Sequence, residues 1–344
     1  MSEAAFPLVG TLLIFGILLP AASVASKGIL WMLARLDGRG LHRFGGLRYA
    51  LLVLPTAIPL AWVVSASIHQ AETGASSEVC AVAHGPSEYC AEAALLALGL
   101  VLIVALAALP RIVREQLALR PSASADASSA RARVLAIIDA GDSTLQRLVR
   151  AVVIKDDASE PIATFGVLSP RVVLSTGFVQ KLDDGALRAA LAHEAEHVRG
   201  RDPLRYFIAW WALAANPVGR WLLRAELARW ILAREAHCDR DAVVSGAGPS
   251  ALAHALLIAA RFGLPVPQAA ALGATSTEIL RLRVDLLMAY AERRPTHCCR
   301  EPALRLTALA ILVAAVLPHQ ENAASALDAL HTAAERAVAI FHED

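Results

Sequence analysis

Charge is scarce in this chain, and basic charge is missing where its absence carries most information. Asp, Glu, Lys and Arg make up 18% of the 344 residues and almost cancel, leaving a net charge of +1. No direct nucleic-acid partner is expected from such a balance. No Lys or Arg occurs between residues 69 and 92, where Glu72, Glu78 and Glu88 fall. No basic cluster precedes the first apolar run, which follows Glu3, so a cleaved signal peptide is not expected. A Ser-x-x-Lys motif is absent throughout, which excludes the acylated serine that the motif supplies. What the chain has in excess is apolar residues, at 56% of the sequence with a mean hydropathy of +0.51. That composition is not one of a typical soluble protein, and with the chain's helix-length apolar stretches it leads to the expectation of an α-rich integral membrane protein.

Four stretches meet, or nearly meet, the length needed to cross a hydrocarbon core of ~30 Å as helices. They run from about Phe6 to Ala25 (extending past Lys27 to Leu33), Tyr49 to Ile68, Ala93 to Val113, and Ala303 to Pro318. The fourth is short and carries Arg305, which could snorkel to the interface. For each, a buried core helix is the alternative. Arg35, Arg39, Arg43 and Arg48 lie between the first two spans; Arg111, Arg114 and Arg120 follow the third; Arg293, Arg294 and Arg300 precede the fourth. By the positive-inside rule both termini lie outside the inner membrane and residues 114–301 lie in the cytoplasm. The expected organisation is three spans in 1–113 with an outer loop at 69–92, a cytoplasmic domain in 114–301, a fourth span in 302–319 and a tail in 320–344. Cys80 and Cys90 fall in the outer loop, where a disulfide could form or two thiols remain. Cys238, Cys298 and Cys299 fall on the reducing side. In the tail Leu327, Leu330, Ala334, Val338 and Phe341 recur at helical steps, as in an amphipathic helix.

The densest chemistry lies in His193-Glu194-Ala195-Glu196-His197, an H-E-x-x-H closing a helix-patterned run from Leu187 to Val198. Positions i and i+4 share a helix face, so both histidines can aim a ring nitrogen at one metal ion, with Glu194 in reach of a water there. A hydrolytic zinc site needs one more protein ligand. Glu235 and Asp239 are spaced i, i+4 on the next long helical segment, Trp221 to Val244. One of the two carboxylates can bind the metal while the other accepts the free N–H of a ligand histidine. His237 is about 200° around that helix from Glu235 and reads as a packing or surface residue. Glu196 is off the ligand face and reads as solvated.

A small-residue linker, Arg120 to Ser129, opens the cytoplasmic region. A helix-prone stretch (Ala130 to Val149) and β-prone runs at 151–154, 162–167 and 171–174 follow. Asp183-Asp184-Gly185 supplies an N-cap for the metal helix and Gly200 a stop; Asp202-Pro203 reads as N-cap plus N1 proline of the next helix. The apolar segment Leu204 to Leu213 is too short to span, and reads either as domain core or as dipping into the inner membrane face.

Four segments in this order resemble a known family: Gly166-Val-Leu-Ser-Pro-Arg-Val-Val-Leu174, Leu191 to Asp202, Asn216-Pro217 with Trp221, and Glu235-Ala-His-Cys-Asp239. Over residues 130–290 the chain is similar to BlaR/MecR-type membrane metallopeptidases, gluzincins related to HtpX and the CAAX prenyl proteases. The resemblance implies an α+β zincin-like domain with Zn2+ held by His193, His197 and Glu235. It also implies Glu194 as general base and Asp239 behind a ligand histidine. One of the runs 162–167 and 171–174 would be an edge strand that pairs with substrate. Arg283 and His254 are candidate donors to a developing oxyanion, although Val284 departs from the Arg-Ile/Leu pair of related peptidases.

The expected function is therefore a zinc metalloendopeptidase that cleaves a regulator, such as a transcriptional repressor, in response to a signal. With no Ser-x-x-Lys motif, neither the penicillin-binding sensor domain of the family nor direct β-lactam sensing is expected. The other two expectations are an HtpX-like quality-control protease and a non-catalytic membrane receptor or scaffold with a structural metal. Partners would be a protein substrate, the lipid bilayer and a second copy in a homo-oligomer. Self-cleavage at Glu292-Arg-Arg-Pro295 is a further expectation, based on its position before the fourth span.

Overall fold

A computed structural model of the chain describes residues 5–37, 45–73, 123–141, 143–156, 160–262 and 276–292, with scattered positions between 99 and 113. Most of the third span, the fourth span, the outer loop with Cys80 and Cys90, Cys298 and Cys299, residues 293–295 and the tail lie outside the described residues. The chain opens with two long helices, α1 (Ala5–Asp37) and α2 (Gly45–Thr73). Among the described residues one stretch, Gly16–Arg35 of α1, is long and apolar enough to cross a membrane; Gly45–Ala61 of α2 is apolar but shorter.

Next come α3 (Ala125–Asp139) and the single turn α4 (Ser143–Gln146). The linker read at Arg120–Ser129 is helical from Ala125 onward, because the Ser124 side chain caps α3 by accepting from Ala127 N–H. The expected helix over 130–149 is interrupted at Ala140 and Gly141. Three strands follow, β1 (Val152–Lys155), β2 (Ile162–Phe165) and β3 (Arg171–Ser175), in the order β1-β3-β2. β1 is parallel to β3, and β2 is antiparallel to it at the edge.

Side chains alternate across a strand. Val152, Ile154, Val172, Leu174 and Ile162 therefore pack into the main core, while Val153, Val173 and Phe165 pack on the opposite face. A short helix, α5 (Thr176–Lys181), leads to α6 (Asp184–Gly200), whose N-terminus is capped by the Asp183 carboxylate accepting from Ala186 N–H at 2.7 Å. Arg133 of α3 ties this junction together, donating to Val179 O, Leu182 O and the Asp184 carboxylate.

α6 is followed by α7 (Asp202–Ala214), α8 (Pro217–Val244), α9 (Pro249–Ala260) and α10 (Ser276–Glu292). α6 is enclosed by β2, β3, α7, α8 and α9, and every residue from Ala189 to His197 is buried. Glu196 is accordingly not solvated: it is 2% exposed and its carboxylate accepts from Arg199 Nε at 2.7 Å. A surface-helix periodicity argument fails where neighbours cover both faces.

α1 and α2 are not a separate piece beside the domain. Leu30, Leu33, Leu51 and Leu52 share one core cluster with Leu213 of α7 and Leu223 and Trp230 of α8. Polar links cross the same junction. Thr56 Oγ1 donates to Ala212 O at 2.8 Å, and Asn216 Nδ2 donates to Ser23 Oγ at 3.0 Å. Glu226 of α8 is 2% exposed and meets Lys27 Nζ of α1 at 2.9 Å and Arg48 Nη1 of α2 at 3.9 Å. Removing a partner from a buried ion cluster strands the remaining charge. Lys27 is 35% exposed and can rehydrate, whereas Arg48 is 6% exposed and cannot readily do so. Glu226→Ala is thus expected to cost about 3 kcal/mol, the lower edge of the range for broken buried pairs. Unfolding midpoints in detergent check this, and an unchanged midpoint would refute it.

Candidate metal centre

α6 delivers His193 and His197 one turn apart, and α8 brings Glu235 opposite them. Nε2 of His193 lies 3.2 Å from Nε2 of His197 and 3.4 Å from Glu235 Oε2; His197 Nε2 lies 3.5 Å from Glu235 Oε1. Ligands of a tetrahedral zinc at 2.0–2.1 Å sit about 3.3–3.4 Å from one another. The triangle of donors therefore has the size that zinc needs.

The outer nitrogens carry the fit further. His193 Nδ1 is 2.9 Å from Asp239 Oδ1, although not aligned for a good hydrogen bond. His197 Nδ1 is 2.7 Å from Asp202 Oδ2. Each carboxylate favours a proton on Nδ1, which turns the Nε2 lone pairs towards one another. Two lone pairs at 3.2 Å repel unless a cation or a shared proton lies between them.

The carboxylates behind the histidines are themselves held. Arg283 of α10 grips Asp239 with two hydrogen bonds, Nε to Oδ2 at 2.8 Å and Nη2 to Oδ1 at 2.7 Å, and its Nη1 lies 3.2 Å from Glu235 Oε2. Arg234 of α8 donates to Asp202 Oδ2 at 2.6 Å and to Glu196 O at 3.1 Å. Gly200 serves this contact as well as ending the helix: a Cβ there would lie 2.5 Å from Arg234 Nη2. The left-handed residue at the helix end is Arg201, at φ 50°. Asp202 is thus not the N-cap that its place before Pro203 suggests. It is fully buried, with its side chain drawn into the centre.

A second group of possible ligands, His197, Asp202 and Cys238, lies behind the first. It suits a metal poorly. Arg234 already occupies Asp202 Oδ2, and burial, ahead of the nearby charges, pushes the Cys238 thiol up, so a metal there would have to displace its proton. All three residues are buried, whereas Glu235 opens to the cleft.

A cleft of about 870 Å³ runs over the three candidate ligands. Edge strand β2 forms one wall, and Leu252, Leu256 and Ile279 of α9 and α10 contribute apolar surface. Glu194 opens to it, with Oε2 accepting from Thr164 Oγ1 at 2.6 Å. Of the two runs considered for an edge strand, 162–165 has that position and 171–175 is central. Arg283 lines the cleft. His254 does not: it is half-exposed on α9 with Nδ1 3.8 Å from Asp183 Oδ2, so its candidacy as an oxyanion donor fails on position. His237 is buried by packing, its Nε2 3.0 Å from Arg240 Nη2. Sequence reasoning missed the roles of Asp202, Arg234 and Thr164 here; Asp202, five residues beyond His197, offered the one local signal.

Burial pulls the histidine pKa values down, but the neighbouring acidic groups outweigh it and hold both above the usual imidazole range. Burial also opposes ionisation of Glu235 and Asp239. For Glu235 the histidines and Arg283 prevail, and for Asp239 chiefly Arg283, so both stay below the usual carboxylate range. A raised histidine pKa contributes stability that is complete below about 6.5 and is lost as pH climbs through the raised value. Depressed carboxylates contribute above about 4 and lose that contribution as pH falls. The metal-free protein should therefore be most stable between about pH 4.5 and 6.5 and weaken above it, and zinc should restore the loss. Thermal unfolding with and without chelator across this range checks the sign; a metal-free midpoint that rises above pH 7 would contradict it.

No curated protein matches the chain, and no solved structure does. A family model does match part of it. The matched stretch contains His193, Glu194 and His197 and ends before Glu235, which the geometry brings to them from α8. Residues 124–222 match the model of Peptidase family M48, whose members are typically zinc-dependent, and this match supports a metallopeptidase of gluzincin type.

Proposed function

We propose that the chain is a membrane-embedded zinc endopeptidase of the BlaR/MecR type, one that cleaves a cytoplasmic or membrane-associated regulator such as a repressor. The observation that carries the hydrolytic reading is the triangle of His193, His197 and Glu235 with Glu194 beside it, all opening on one cleft. Zinc, when held there, acts as a Lewis acid and lowers the pKa of water towards ~7. The chain's own residues supply the rest. Asp202 orients His197 through Nδ1, Asp239 lies 2.9 Å from Nδ1 of His193, and Arg283 keeps Asp239 and Glu235 ionised and in place. Glu194 accepts the proton of the attacking water and passes it to the leaving amine.

The substrate backbone adds to β2. Ser175 N–H donates to Pro161 O, so the backbone groups of Pro161, Ala163 and Phe165 face β3. By alternation those of Ile162 and Thr164 face outward. Pairing through backbone groups presents a scissile bond without demanding one sequence.

Exposed Ile17, Val24, Ile29, Trp31 and Met32 on α1, each more than 40% accessible, support the membrane placement. A regulatory protease has few substrates, whereas an HtpX-like quality-control protease has many. The family match, at the level of M48, keeps the latter as the second reading. A substrate trap decides: Glu194→Ala protein purified from membranes should retain one or a few regulators. A broad set of damaged membrane proteins would favour quality control, and an empty trap would count against both.

A further inference from the structure

We propose that Thr164 is a positioning residue that joins peptide docking on β2 to the orientation of the general base Glu194. The inference rests on the peptidase reading and deepens it. Thr164 shares a strand face with Ile162 and lies opposite Val172, on the side of the sheet that packs into the main core. If that position served packing alone, an isosteric valine would suit it as well. The Thr164 hydroxyl, half-buried on the cleft wall, has a protein partner instead of being left to water. It donates to Glu194 Oε2 at 2.6 Å, thirty residues further along the chain.

Glu194 is 6% exposed and sits between two histidines on an enclosed helix, so few groups can restrain its carboxylate. With Oε2 held by Thr164, Oε1 is left for the cleft. The same residue presents its backbone N–H and C=O outward from β2, at the edge where an added strand would bond. A peptide bonded there fixes the Thr164 backbone, and the hydroxyl carries that constraint to Glu194. Docking and base alignment then depend on one residue. Small misplacement of a catalytic group is enough to cost about 10²-fold in rate.

The test uses the zinc-loaded full chain in detergent with an internally quenched peptide that wild type cleaves. Thr164→Val should lower kcat about 10- to 100-fold, with KM within about twofold and zinc content unchanged. Thr164→Ala, which adds no methyl against the carboxylate, should fall in the same way, and Thr164→Ser should recover most of kcat. Anisotropy titrations of a labelled form of the peptide against Glu194→Gln protein should give the same Kd with and without Thr164→Val. The proposal is overturned if Thr164→Val or Thr164→Ala keeps kcat within about twofold of wild type. It is also overturned if Thr164→Ser is as slow as Thr164→Val, or if the loss appears in KM, zinc content or peptide Kd instead. Wild-type protein that carries zinc yet cleaves no peptide would remove the peptidase reading itself, and this inference with it.

Discussion

Glu194→Gln is expected to lower kcat by about 10²–10⁴-fold, the range for loss of a positioned general base, while zinc stays bound. The two halves of this expectation have separate causes. Glu194 is not one of the three converging donors, and the carboxylates behind them are Asp239 and Asp202. Glutamine keeps the shape and can still accept from Thr164, so the lesion is confined to proton transfer. Turnover measured beside metal content checks it. Activity within tenfold of wild type would mean that another group takes the proton, and loss of zinc would mean that Glu194 holds the metal.

Asp202→Ala should have two effects, one on the metal and one on the fold. Without Asp202 Oδ2 at 2.7 Å, His197 loses the partner that sets its tautomer. Losing such a partner costs about 10- to 100-fold in metal affinity. Arg234, 8% exposed, simultaneously loses its closest anion. An uncompensated buried charge of this kind costs about 3–5 kcal/mol. Asp202→Asn should be milder on stability, because the amide oxygen can still accept from Arg234. Competitive zinc titration and denaturant unfolding separate the two effects. The sign with pH follows from the depressed Asp202 pKa: burial would raise it, but the His197 hydrogen bond and Arg234 bring it below the usual range. Its stabilisation is present above about pH 4 and vanishes as pH falls, so variant and wild type should converge in acid. Full zinc affinity in Asp202→Ala would show that His197 needs no partner on Nδ1.

These residues differ in how readable they are from sequence, for physical reasons. His193, Glu194 and His197 lie within one helical turn and a half, so their relation is set by local geometry alone. Glu235 needs α8 to cross α6, which no local pattern encodes; only its order after the H-E-x-x-H and the spacing to Asp239 pointed to it. Asp202 looked like a cap because Asp-Pro commonly starts a helix. The left-handed turn at Arg201 is what swings it inward instead. Thr164 was hidden more deeply, because its role depends on the β2–β3 register and on a helix that begins twenty residues later. Across the expected division at residue 113, Leu30 and Leu52 share a core with Leu213 and Leu223, a packing that no local pattern encodes. Hydropathy reports which segments are apolar, not what each one packs against.

That shared core also gives the regulatory proposal a physical route. α8 carries both Glu226, bound to Lys27 and Arg48, and Glu235 at the metal centre. The nine residue steps from one to the other span about 13.5 Å of one helix. α1 and α2 thus pack against the same helix that carries the candidate ligand Glu235.

The central claim is that His193, His197 and Glu235 hold zinc and leave a position open to water. X-ray absorption at the zinc edge of the purified, zinc-loaded protein tests it most directly. The account predicts a first shell of nitrogen and oxygen only, at about 2.0–2.1 Å, including two imidazoles. A sulfur neighbour at about 2.3 Å would place the metal in the group of His197, Asp202 and Cys238, and would contradict the account.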